Sequence, residues 1–91
     1  CDSLQTPATF PINFAVLQGR VPRVLVASPA EIRAAQRWAF ANLHLVVEPG
    51  GAAGLAAALA GKVALDGRTA IVLSGGNTDP ADFAKVLAGK D

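Results

Sequence analysis

The tetrapeptide Ser74-Gly75-Gly76-Asn77 is the part of this 91-residue sequence best suited to hold a ligand. It follows directly on Arg68 to Leu73, whose run Ala70-Ile71-Val72-Leu73 is the clearest buried-strand pattern in the chain. In an open α/β sheet, ligands bind outside the carboxyl ends of the strands, which is where a hydroxyl, two glycines and an amide then stand. By residue types alone, a plain glycine-rich turn reads the same way. Glu48 is the only acid in an apolar stretch, and its carboxylate suits either a ligand contact or the positive end of the helix that follows it. Other chemistry is sparse. The single cysteine, Cys1, forms no internal disulfide and reads as structural, and with His44 as the lone histidine no zinc site is built by spacing. Lys62, Lys85 and Lys90 follow a helix-ending glycine or sit on the polar face of the last helix, exposed contexts unlike the desolvated setting of a nucleophilic lysine.

The elements that position these residues follow from the punctuation of the chain. Pro7 and Pro11 leave residues 1–19 as a loop with at most one short helix, over Ile12 to Leu17. Arg23-Val24-Leu25-Val26-Ala27, bounded by Pro22 and Ser28, predicts a strand buried on both faces. Ser28-Pro29-Ala30-Glu31 is a capping box with proline at the first helical position, so a helix over 29–43 follows, with Ile32, Ala35, Ala39 and Leu43 on one face. Trp38 and Phe40 fall where core or subunit packing is expected, and His44 at a surface or interhelix position. Leu45-Val46-Val47-Glu48-Pro49 is a second short apolar segment. The glycines and alanines from Gly50 to Ala60 predict a tightly packed helix ending at Gly61. Asp79-Pro80-Ala81-Asp82 starts a last helix with Phe83, Val86 and Leu87 inside. Strand, helix, helix, strand, helix is an α/β order, with both short strands parallel by the crossover rule.

Composition narrows the function classes. With 52% apolar and 16% charged residues, the chain is more hydrophobic than a solvent-surrounded domain this small needs, which implies surface made for missing neighbours. A self-contained alanine-rich domain stays open as an alternative, because alanine raises the count without adding much hydrophobic area. A net charge of +1, scattered along the chain, points away from nucleic acid and from anionic membranes. No apolar run approaches the roughly 20 residues of a membrane span, and Cys1-Asp2-Ser3-Leu4 lacks the basic and apolar regions of a signal peptide, so a soluble, cytoplasmic protein is expected. The absence of Met at position 1 suggests a piece of a longer product, although processing has the same effect.

Three segments carry a resemblance. Val47-Glu48-Pro49-Gly50-Gly51-Ala52-Ala53-Gly54-Leu55-Ala56-Ala57, the later Ser74-Gly75-Gly76-Asn77, and Cys1-Asp2-Ser3-Leu4-Gln5-Thr6-Pro7 at the front resemble the C-terminal part of the pyridoxal-phosphate-dependent serine/threonine dehydratase and serine racemase family. The likeness runs in order through nearly all 91 residues. It implies the second fold type of pyridoxal-phosphate enzymes, with residues 1–91 forming the C-terminal portion of the large catalytic domain. It implies that Ser74 hydrogen-bonds the pyridine nitrogen, that Gly75, Gly76 and Asn77 line the cofactor, and that Glu48 lies near the ring edge. Asp2 and Thr6 match the loop that runs close to the cofactor and the substrate carboxylate, although Ser3 departs from the glycine or alanine common there. A hydroxyl facing the ring nitrogen leaves the ring nearly neutral, which suits prompt loss of a β-hydroxyl. Two glycines also let backbone approach a flat ring closely.

The family's Schiff-base lysine, in a Ser-x-Lys segment, its glycine-rich phosphate nest and its metal-binding acids all precede the matching region, and neither of the two segments occurs here. The resemblance therefore implies no catalytic residue and no metal ligand in this chain, which is expected to be inactive alone. Its partners are then the remainder of the same polypeptide, a small amino-acid substrate and a second copy in a homodimer. The activity implied is dehydration and deamination of serine, threonine or a related β-hydroxy amino acid to a 2-oxo acid and ammonia, this chain supplying the pyridine-nitrogen side. Two alternatives stay open: an amino-acid racemase of the same family, whose second acid/base residue lies outside this chain, and a non-catalytic α/β binding module.

Overall fold

The fold is known from a computed structural model that describes residues 2–89, so the readings of Cys1 and Lys90 lie outside it. After a 3-10 turn at Asp2–Leu4 come four α-helices, α1 (Pro11–Leu17), α2 (Pro29–Leu43), α3 (Pro49–Leu59) and α4 (Pro80–Leu87). Each begins on proline, whose missing N–H is no loss at a helix start and whose fixed φ is already helical. The capping box of α2 forms as expected: the Glu31 N–H donates to Ser28 Oγ at 3.2 Å and the Ser28 N–H to Glu31 Oε2 at 2.7 Å. The helix ends where His44 turns left-handed at φ 56°, its N–H donating to the Phe40 carbonyl and that of Leu45 to Ala39.

α2 and α3 pack face to face around Ile32, Ala35 and Ala39 on one side and Ala52, Leu55 and Ala56 on the other, with Val47 between them. The alanines let the two backbones approach closely, as the composition of α3 predicts. The short α4 docks on α2 through an edge-to-face contact of Phe83 with Phe40, centroids 5.8 Å apart, and through the Arg37 guanidinium, which donates to the Val86 carbonyl at 3.0 Å. α1 packs against none of the other helices, and its Ile12, Phe14, Val16 and Leu17 are exposed.

Several expectations need correction. Residues 23–27 and 68–73 form no strand among the described residues. A strand exists only through its ladder, and here a single backbone hydrogen bond joins distant segments, from the Glu48 N–H to the Gly75 carbonyl at 3.0 Å. The architecture is therefore helical, with the strand-patterned segments unpaired. Leu43 and Leu87 are exposed rather than inward-facing, because each lies in the last turn of a helix, beyond the reach of its neighbour. Trp38 is likewise exposed. Lys62 is not a free surface lysine: it pairs with Glu31 Oε2 at 2.8 Å and donates to the Val26 carbonyl, tying residues 23–27 to the start of α2. The Lys62 ammonium and the Ser28 N–H hold the Glu31 carboxyl below its ordinary 4.5. Lys85 is exposed as expected, with Asp82 at 3.3 Å. No helix among the described residues is long and apolar enough to cross a membrane, and no acidic, histidine or cysteine group there could hold a metal ion.

Candidate functional site

The two segments singled out by sequence meet in space. Val46, Val47 and Glu48 run directly onto Gly75 and Gly76, and the first turn of α3 closes over them. A Cβ added at Gly76 would lie 2.5 Å from the Val46 carbonyl oxygen, one at Gly75 2.6 Å from Glu48 Oε1, and one at Gly51 2.7 Å from the Gly75 carbonyl oxygen. Real Cβ atoms do not approach backbone oxygen that closely, so Gly51 and Gly76 are required by the close packing of the chain on itself, whereas at Gly75 the clash is with the end of the Glu48 side chain, which can shift. The closeness expected for a flat ring is thus used by the protein's own backbone at Gly76 and by the Glu48 side chain at Gly75. Ser74, Gly76 and Asn77 are exposed, which leaves the hydroxyl at the end of the apolar run free to meet a ligand.

Glu48 is the N-cap of α3, yet its side chain makes no capping hydrogen bond. The carboxylate instead lies over Gly75, half-buried. The reading in which it merely serves the helix dipole therefore explains its position only in part. Asp2 joins Glu48 along a cleft of about 380 Å³ that Gln36 and Gly50 also line, and the 3-10 turn carrying Asp2 packs on α3. That volume is at the lower end for small-molecule sites. Thr6 lies on the exposed stretch that follows and lines neither this cleft nor the larger apolar groove described below. His44 serves as the left-handed cap of α2 and has no place in the cluster.

One residue of the cluster escaped the sequence reading. Gln36 is 1% exposed, the largest fully buried side chain among the described residues. Its Nε2 donates to the Val47 carbonyl at 2.8 Å, while its Oε1 is buried with no hydrogen-bond partner. An orphaned buried acceptor costs on the order of 1–3 kcal/mol, so the residue is not explained by packing alone. The signal was available: position 36 falls four residues after Ile32 and three before Ala39, inside the buried stripe of α2.

Similarity to known proteins gives these residues a context. No protein-family model matches the chain, and no solved structure matches it. It is 40% identical to phenylserine dehydratase of Ralstonia pickettii over 94% of this chain and 27% of that enzyme. It is 33% identical to the L-threo-3-hydroxyaspartate ammonia-lyase of Saccharomyces cerevisiae, over 99% of this chain and 28% of the enzyme. It is also 33% identical to serine racemase of Schizosaccharomyces pombe, over 96% and 27%. The chain thus spans between a quarter and a third of the length of these relatives. By sequence it is similar to one segment of these dehydratases, ammonia-lyases and serine racemase.

Proposed function

We propose that the chain is the C-terminal segment of the large domain of a pyridoxal-phosphate-dependent lyase, which dehydrates and deaminates a β-hydroxy amino acid to a 2-oxo acid and ammonia. The observation that carries this reading is the meeting of Glu48 with the Ser74-Gly75-Gly76 turn, in a chain 40% identical to a dehydratase. When bound, the cofactor supplies an electron sink for the charge left by α-proton removal. Ser74 donates its hydroxyl to the ring nitrogen and, being too weak an acid to protonate it, keeps the ring nearly neutral. Gly75, Gly76 and Asn77 line the ring, Glu48 and Asp2 flank its edge, and Thr6 meets the substrate carboxylate. The nucleophilic lysine and the phosphate nest belong to the rest of the polypeptide, so the 91 residues alone catalyse nothing.

The same reading accounts for the unpaired segments. Leu25 and Val26 on one side and Ala70, Ile71 and Val72 on the other border an apolar groove of about 630 Å³, floored by the small residues of α3. The backbone groups of Val24, Leu25 and Ala70 to Leu73 make no backbone hydrogen bond among the described residues. Such groups need partners once buried, and strands of the remaining polypeptide supply them in a parallel α/β sheet. Racemisation is the second reading, favoured by the likeness to a serine racemase.

The test uses the full-length enzyme. Ser74→Ala should weaken cofactor binding by about 0.5–1.5 kcal/mol, with any larger loss in turnover, and Ser74→Asp should shift the absorption of the bound cofactor by protonating the ring nitrogen. If both variants match wild type in spectrum and turnover, Ser74 is only a turn residue. Release of 2-oxo acid, measured beside inversion of the substrate, separates lyase from racemase.

A further inference from the structure

We infer that Gln36 is a positioning residue for the cofactor site, acting through a single peptide group. The carbonyl of Val47 and the N–H of Glu48 belong to the same peptide, and that peptide is trans. In a trans peptide these two groups point in opposite directions. Gln36 Nε2 holds the carbonyl end at 2.8 Å, and the Gly75 carbonyl accepts from the N–H end at 3.0 Å. The peptide plane that sets the direction of the Glu48 side chain is therefore pinned from both sides, by α2 behind it and by the Ser74-Gly75-Gly76 turn in front. Amide, peptide and turn form one hydrogen-bonded line, in which each bond polarises the next.

Two observations mark this as more than packing. Val47 is itself buried, so water does not replace Gln36 as the donor to its carbonyl. The Oε1 of Gln36 is left without a partner, a cost that an apolar residue of the same volume at this position would avoid. What such a residue cannot do is fix the tilt of the Val47–Glu48 peptide, and with it the height of the Glu48 carboxylate over Gly75. Losing the amide frees the peptide to rotate, and the carboxylate and the turn that carries Ser74 move together.

The inference rests on the cofactor reading above, and its test separates the two. In the full-length enzyme, Gln36→Met fills the space without a donor. Hydrogen exchange of the peptide spanning residues 45–50 in the cofactor-free protein should quicken, and pyridoxal phosphate, titrated by its absorbance, should bind on the order of 2- to 10-fold more weakly with an altered spectrum. Arg37→Met, on the same helix, removes the donor to Val86. It should lower the melting temperature and leave cofactor affinity and spectrum unchanged. Should Gln36→Met fail to fold, Gln36→Asn keeps the amide but shortens its reach, and the same two shifts are expected. Faster exchange with unchanged affinity and spectrum overturns the positioning role, as does unchanged exchange. If wild type does not bind the cofactor, the functional reading falls, while the exchange arm still decides whether Gln36 clamps the peptide.

Discussion

The α2–α3 layer and the segments beside it are built from similar apolar residues, yet one is buried and the other lies open. Ala35, Ala39, Ala52 and Ala56 are at most 1% exposed, whereas Val24, Val26 and Val72 are more than 75% exposed. The difference lies in the backbone. A helix satisfies its own N–H and C=O groups, so two helices need only press small faces together to make a core. A strand-patterned segment leaves its ladder unmade until a neighbouring strand arrives, and for residues 23–27 and 68–73 the described residues supply no such strand. Valines on both faces of such a segment are a demand for covering layers and flanking strands at once.

The contrast is broken most forcefully in the core. Leu55→Ala should cost about 2–5 kcal/mol, read from urea unfolding, because the buried side chain leaves a cavity between rigid helices. Val24→Ala should cost under about 0.5 kcal/mol in the 91-residue chain, where that valine is 83% exposed, but about 1–3 kcal/mol in the full-length protein if the segment becomes a buried strand. An equal, negligible cost in both contexts would mean that the segment is never covered.

Glycines on the two faces of α3 sharpen the comparison at a smaller scale. Gly51→Ala drives a methyl into the Gly75 backbone and should destabilise by about 1–3 kcal/mol, again by urea unfolding. Gly54→Ala meets the Ile71 Cγ2 at 3.3 Å, the end of an exposed side chain, and the Val72 carbonyl oxygen at an ordinary contact distance of 3.9 Å, so the gain of about 1 kcal/mol in helix propensity should leave it neutral or stabilising. Equal losses at the two positions would show that the groove side of α3 is as rigid as the site side.

The smallest effect is the electrostatic tie of residues 23–27 to α2. The Glu31 carboxyl is depressed in the folded state by Lys62 and the Ser28 N–H, so its contribution is present above the ordinary carboxylate value of 4.5 and is lost as pH falls through the lower folded value. Melting temperature should therefore decline below about pH 4.5 in wild type, and Lys62→Met should remove part of that decline. An identical acid limb in both proteins would count against the tie.

How far each element could be read depends on where its cause lies. The proline starts, the capping box and the alanine face of α3 are local, and all appear where the residues place them. Gln36 was legible by spacing, since it shares the stripe of Ile32 and Ala39, but a polar residue in that stripe is discounted when only apolar ones are counted. Leu43 and Leu87 share their helices' inward spacing and are exposed because the facing element stops short of them.

The residues alone determine the proline-led helices that begin at Pro29, Pro49 and Pro80, that α2 and α3 carry faces small enough to pack closely, and that Ser-Gly-Gly-Asn follows an apolar run. They determine these because capping, propensity and periodicity act within a few residues of their cause. Only the tertiary structure decided which backbone the glycines admit, which carboxylate lies over Gly75, and that a buried glutamine pins the peptide between them. Those contacts join positions 36, 47 and 75, and no local rule relates residues so far apart in the chain until α2 and α3 have packed.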